Sequence, residues 1–309
     1  WRLGFSFPLV ATFMVLLHRL QPYVRNLQGS WGQLWGWSGA LESVARLLDT
    51  DGKVTAPTGS VTRAPLTRAI TFDRVTFSYD TVARTADVLR EASFVVPALQ
   101  ATGFIGRSGA GKTTIVQLLT RLVEPSDGVI RVDDIALGEI DPATWRGRIA
   151  VASQDLELVN ATVFENIAYA LPNASQPDVE RAARLAEAHD FIAALPQGYA
   201  TLIGAGATRL SAGQRQRIAL ARAILCEPEI LVLDEATNAV DGVSETAILE
   251  TIKARSGRST TLLISHHHRT LSVCDRVVVL NDGRVSAQAD WASVQHLRME
   301  ELYELGTTG

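Results

Sequence analysis

Apolar residues are spread unevenly along this chain, and the unevenness divides it in three. From Leu3 to Leu17 (LGFSFPLVATFMVLL) no residue is charged, with Arg2 before the run and His18-Arg19 after it. A helix of that length covers about 22 Å, short of the roughly 30 Å hydrocarbon core of a bilayer. A secretory signal would fit the length, but no A-x-A-like cleavage site follows. A buried core helix is a second reading. The preferred one is a transmembrane helix whose first turns precede Trp1, and Arg19 and Arg25 then put the downstream side in the cytosol. Past Pro22, Trp31, Leu34, Trp35, Leu41, Val44, Leu47 and Leu48 recur at three- and four-residue steps, so the helix is expected to continue. Gly29, Gly32, Gly36 and Gly39 recur at the same steps. Each glycine costs about 1 kcal/mol inside a helix, so the stripe marks either a close helix–helix crossing or a frayed helix.

Asp49–Ala69 (DTDGKVTAPTGSVTRAPLTRA) has no apolar period and reads as a linker. Alternation then predicts a strand over Ile70–Tyr79. Further strands are expected at Ser93–Val96, Thr102–Ile105, Val129–Val132, Arg148–Ala152, Ile230–Leu233, Thr260–Ile264 and Arg276–Leu280. Between the strand near residue 150 and that at 230, a stretch including Pro177–Leu195 reads as mainly helical. Strands separated by helices imply an α/β domain with a parallel sheet covered by helices.

Composition narrows the field. The chain has 309 residues, is 47% hydrophobic and carries a net charge of -4. That excludes a disulfide-stapled miniprotein and a disordered chain, and offers no general attraction to nucleic acid. The mean hydropathy of +0.11 is high for a soluble enzyme and has its main source in the opening run. Cys226 and Cys274 have neither CxxC spacing nor spaced histidines, so reduced thiols are expected rather than a zinc site. The chain begins at Trp1 rather than Met and is expected to be part of something longer. Lys53, Lys112 and Lys253 are the only lysines, which makes Lys112 conspicuous.

Lys112 lies in Gly106-Arg107-Ser108-Gly109-Ala110-Gly111-Lys112-Thr113, a full match to G-x-x-x-x-G-K-[ST] between an apolar strand and a helix-like run. Glycines let backbone N–H groups close around phosphates, and the helix N-terminus adds positive potential. Lys112 would reach the β- and γ-phosphates and Thr113 would bind Mg²⁺. Ile230-Leu-Val-Leu-Asp234-Glu235 is a buried strand ending in two carboxylates. Asp234 is placed for the metal shell and Glu235 to polarise an attacking water. His266-His267-His268 is not read as a metal tract, because consecutive residues cannot all face one ion. Asn160-Ala-Thr and Asn173-Ala-Ser match the glycosylation sequon, and in a cytosolic ATPase would be chance matches.

Between the two motifs stands Leu210-Ser211-Ala212-Gly213-Gln214. With this segment in that order, residues 70–295 resemble the nucleotide-binding domain of ABC transporters, whose signature is LSGGQ. The resemblance implies a P-loop NTPase fold of the ABC type with a helical signature subdomain at about 155–222. Residues 70–309 are then the ATP-binding domain, 50–69 the linker, and 1–49 the end of a transmembrane domain of an exporter-type half-transporter. It also implies roles. Tyr79 stacks on adenine, and Thr114 follows Thr113 at the phosphates. Gln154 contacts Mg²⁺ and the water, and His266 holds the γ-phosphate. Asp241 lies at a dimer interface. Two domains pair head to tail, so Ser211, Gly213 and Gln214 serve the ATP of a second chain. ATP and Mg²⁺ are the implied ligands. The implied partners are a second nucleotide-binding domain, the transmembrane domain and a membrane, with the ATPase on the cytoplasmic face.

The sequence departs from the family pattern in places. Ala212 replaces a signature glycine. A glutamate usual before the signature is missing near Ala205. Asn238 and Val240 replace Ser and Leu of S-A-L-D. Leu99 stands where a turn glycine is usual. Lys112, Asp234, Glu235 and His266 remain, so hydrolysis at the chain's own site is expected. A regulatory ATP-binding half of a heterodimer and a soluble ABC-type ATPase are the alternatives.

Overall fold

The computed structural model describes residues 7–48, 58–62, 65–79, 87–153, 158–204 and 209–306. Gln154, the opening Trp1–Ser6, and Ala205 with its neighbours to 208 lie outside them. The chain forms two compact units, Trp1–Ala56 and Pro57–Gly309.

The described residues of the first unit form one helix, α1 (Phe7–Leu48), continuous through Pro22 and through all four glycines. Among the described residues of this unit, the helix's own adjacent backbone aside, no atom lies within 4 Å of where a Cβ on Gly29, Gly32, Gly36 or Gly39 would sit. The glycine stripe is therefore helical. Phe13, Leu20, Trp31 and Trp35 are exposed. Among the described residues no helix is long and apolar enough to cross a membrane.

Among the described residues the second unit has two main sheets and a separate two-stranded antiparallel ribbon. The strands are β1 (Ala69–Phe77), β2 (Leu89–Pro97), β3 (Ala101–Gly106), β4 (Asp127–Val132), β5 (Ile135–Ala136), β6 (Ile149–Ser153), β7 (Ala161–Thr162), β8 (Leu202–Ile203), β9 (Ile230–Asp234), β10 (Thr260–Ile264), β11 (Arg276–Asn281) and β12 (Arg284–Asp290). The larger sheet runs β12-β11-β3-β10-β9-β6, parallel except for the antiparallel β12 at one edge. The smaller runs β2-β1-β4-β5 and is antiparallel throughout. Every strand expected from the sequence is present. Alternation, however, cannot say which strands pair, and the second sheet was not foreseen.

Both faces of the parallel sheet are buried, which is why its strands read as unbroken apolar runs. Leu231, Leu233 and Leu263 enter one core, while Val232, Leu262 and Ile264 enter the other. The first core is shared with helices that include α3 (Gln176–Leu185) and α4 (Ala212–Leu225), and the second with α2 (Lys112–Leu119) and the small sheet. Gln288 of β12 joins the sheets, donating to the Val95 carbonyl at 2.6 Å.

The C-terminal end of α2 is held firmly. Trp145, fully buried, donates from Nε1 to the Leu119 carbonyl at 2.6 Å. Arg146 donates to the Thr120 and Arg121 carbonyls, a cation where a helix C-terminus favours one. Leu99, between β2 and β3, takes φ +59. Glycine adopts that conformation without cost and leucine does not. Its N–H donates to Thr260 Oγ1, which helps hold the turn.

Asp133, in the β4–β5 turn, accepts hydrogen bonds from the Thr67, Arg68 and Ala69 N–H groups and from the Thr67 hydroxyl. Partial burial pushes its carboxyl up, but these donors outweigh it and hold the group below the usual aspartate range. Stability from such a group is fully present above the unfolded aspartate pKa of about 3.9 and fades as pH falls through the folded value. The group is partly exposed, so about 1 kcal/mol is expected after allowance for screening. Asp133→Asn should lower the melting temperature at pH 7, and the gap to wild type should narrow progressively as pH falls below about 4.

Candidate functional site

Three parallel strands end together and deliver the chemistry. In register, Ile264 of β10 stands beside Asp234 of β9 on one side and Phe104 of β3 on the other. Each strand then turns into a functional loop. In sheets of this kind ligands bind outside the carboxyl ends of the strands. A cavity of about 390 Å³ lies there, with Lys112, Thr113, Asp234, Glu235 and His266 on its wall.

The glycines between β3 and α2 are placed by geometry. Gly109 and Gly111 take φ +81 and +100. A Cβ on Gly111 would lie 2.6 Å from Leu89, and one on Gly106 would lie 2.5 Å from the Leu280 carbonyl of the next strand. Ala110 is buried beneath the loop, while Arg107 and Ser108 are exposed. The loop closes over the Lys112 ammonium, which donates to the Gly106 and Arg107 carbonyls at 2.7 and 3.0 Å. Burial lowers the Lys112 pKa, and Glu235 and Asp234 pull it the other way. The Thr113 hydroxyl is 3.4 Å from Asp234 Oδ2. Thr114 is buried and bonds Tyr79 Oη at 3.2 Å. Tyr79 also donates to Gln117 at 2.5 Å, so the ring stands against α2, exposed and off the cavity wall.

Glu235 takes φ +53, uncommon for a residue with a Cβ. Such conformations persist where the surroundings over-determine them. Here the Glu235 N–H donates to the Ile264 carbonyl at 3.1 Å. Its Oε1 faces His266 Nδ1 at 3.3 Å. Gln216, buried on α4, donates to the Glu235 carbonyl at 3.3 Å and accepts from the Ala239 N–H at 2.9 Å. Neither Gln216 nor the backbone strain was foreseen. Gln216 has no motif of its own, and its role exists only once α4 packs on this loop.

The signature residues stand elsewhere. Ser211 caps α4, accepting from the Gln214 N–H while Gln214 Oε1 accepts from the Ser211 N–H. This reciprocal box satisfies two of the helix's orphan donors. Gly213 packs so tightly that a Cβ there would lie 2.5 Å from the Ala239 carbonyl. Ala212 is exposed, so its methyl is free of that constraint. Asp241 caps α5 (Gly242–Ala254), and the Ser244 N–H and hydroxyl hold its carboxyl below the usual range. Ser211, Gly213, Gln214 and Asp241 do not line the Lys112 cavity. Of the three histidines, His266 enters the cavity, while His268 bonds the Gln295 carbonyl and packs on Trp291.

The family model for ABC transporters matches residues 89–238, from β2 through the loop after β9. The chain belongs to the ABC transporter family. Its matched region is an ATP-binding domain, and the Lys112 loop lies within it. The heterocyst differentiation ATP-binding protein HepA of Nostoc is 37% identical over 95% of this chain and 48% of its own length. An ATM1-type heavy metal exporter of Novosphingobium aromaticivorans is 38% identical over 84% of this chain and 42% of its own length. A solved bacterial Atm1-family ABC exporter with ATP bound superposes with a TM-score of 0.84 at 32% identity, covering 98% of this chain and 53% of that one. The chain thus spans about half the length of these relatives.

The two small residues of the signature should respond differently. Gly213→Ala should cost about 1–3 kcal/mol, the usual penalty for overpacking. Ala212→Gly should cost about 1 kcal/mol or less, as for an exposed helix position. Denaturant melts of the two variants measure the difference.

Proposed function

We propose that this chain hydrolyses ATP as the nucleotide-binding part of an exporter-type ABC half-transporter, and that hydrolysis drives a substrate across a membrane. The observation that carries the reading is the Glu235–His266 pair facing Lys112 and Thr113 across one cavity. The proposed domains are residues 1–49 as the end of a transmembrane domain, 50–69 as a linker and 70–309 as the ATPase. The ATPase would work on the cytoplasmic face of that membrane.

In this reading Lys112 leaves its loop carbonyls for the β- and γ-phosphate oxygens, and the N–H groups from Arg107 to Thr114 cradle the phosphate chain. Tyr79 offers its exposed ring to adenine. The Thr113 hydroxyl and the Asp234 carboxylate are neighbouring hard oxygen donors. They suit Mg²⁺, which keeps waters and phosphate oxygens as its other ligands, with Gln154 as a further ligand. Bound there, Mg²⁺ neutralises charge on the β- and γ-phosphates. Glu235 takes a proton from the attacking water, and His266 holds the γ-phosphate. Catalysis is positioning plus electrostatic stabilisation.

Ser211, Gly213 and Gln214 serve the ATP of a second chain, and Asp241 lies at the interface with it. Their distance from the chain's own cavity supports that division of labour. ATP then joins two domains and its hydrolysis releases them, a shift of population driven by differential contacts.

Glu235→Gln should lower kcat at least about 100-fold while ATP still binds. Lys112→Ala should weaken ATP binding by about tenfold or more, the loss of a charge-assisted contact. Phosphate release and ATP titration check both. Undiminished turnover in Glu235→Gln would refute this assignment of the base.

A further inference from the structure

Asn238 sits three residues after Glu235, in the turn where the Asn238 N–H reaches the Glu235 carbonyl at 3.3 Å. This turn brings the side chain back over Glu235. Asn238 Nδ2 lies 2.9 Å from Glu235 Oε2 and 3.4 Å from His266 Nε2. One amide nitrogen carries two hydrogens and can serve both acceptors. The opposite amide orientation would set oxygen against a carboxylate, so the network assigns the nitrogen to this side. Since Glu235 Oε1 faces His266 Nδ1 at 3.3 Å, both oxygens of the carboxylate are held, and three side chains close a ring.

The ring matters because of what lies beneath it. Glu235 rises from a left-handed residue, and its backbone is tied down by Ile264 and Gln216. The backbone contacts leave the side-chain torsions free. His266 Nδ1 holds Oε1, and the Asn238 amide is what holds Oε2. The serine usual at this place carries its polar atom one bond beyond Cβ, where asparagine carries Nδ2 two bonds beyond. From the same backbone its hydroxyl falls short of where Nδ2 stands.

We propose that Asn238 is a positioning residue for hydrolysis: its amide fixes the Glu235 carboxylate, and with it His266, in the orientation the attacking water requires. This rests on the ATPase reading above. Asn238 touches neither nucleotide nor metal in that reading, so it acts through Glu235.

The test uses the full chain with Asn238→Ala and Asn238→Asp. Aspartate keeps the shape but sets a second carboxylate against the first. Turnover should fall about tenfold in Asn238→Ala, as expected for losing one hydrogen bond to a charged acceptor. It should fall at least as far in Asn238→Asp, with KM for ATP within about twofold of wild type. A structural readout runs beside it. Asn238→Ala should lower the melting temperature by about 2–4 °C with Glu235 present, and by less than half as much in a Glu235→Ala background. Wild-type kcat in both Asn238 variants, or equal melting shifts in both backgrounds, overturns the proposal. A wild-type chain that binds ATP without turnover refutes the ATPase reading instead, and the melting cycle then still decides whether Asn238 holds Glu235.

Discussion

Hydrogen bonding between β3, β10 and β9 decides where the chemistry falls. The parallel register aligns Phe104, Ile264 and Asp234 across the sheet, so three loops far apart in sequence open at one edge. A slip of one residue in any strand would send each side chain into the opposite core, against neighbours packed for another shape. Leu231, Val232 and Leu233, buried alternately in two cores, resist that slip. The groups lining the Lys112 cavity are thus placed by burial on both sides of a sheet, and the loops need only finish the job.

The loop after β9 shows how that finishing is done. Glu235 could not keep its left-handed backbone without partners, and it has them on three elements: Ile264 of β10, Gln216 of α4 and His266 after β10. The same contacts bind the signature helix to the loop. Gly213 stands against the Ala239 carbonyl because the two backbones approach too closely for a side chain. In the proposed dimer, a change at the signature of one chain therefore has a short mechanical path to the base of that same chain. Gln216 is the hydrogen-bonded link in that path.

Much of this was legible in the sequence. The phosphate loop, the acidic strand and the signature stand in order, and each needs particular residue types at fixed spacing. The eight expected strands follow from apolar runs whose burial is set locally. What could not be read depends on tertiary contact. The small antiparallel sheet looks in sequence like more strands of the same kind, because alternation carries no record of the pairing partner. Asn238 looked like a mere departure from S-A-L-D, and its amide acquires meaning only against Glu235 and His266. Ser211 and Gln214, expected to meet a second chain's nucleotide, also cap their own helix. Leu99 was conspicuous in sequence for standing where glycine is usual, and its positive φ gives the reason.

The central claim is that ATP is hydrolysed in a site that one chain cannot complete alone. Phosphate release per chain, at saturating ATP and Mg²⁺, measured across a wide range of protein concentration, tests it most directly. The account predicts turnover per chain that rises with concentration and levels off once chains are paired. Turnover per chain that is the same in dilute and concentrated solution, with the chain monomeric throughout, would contradict it.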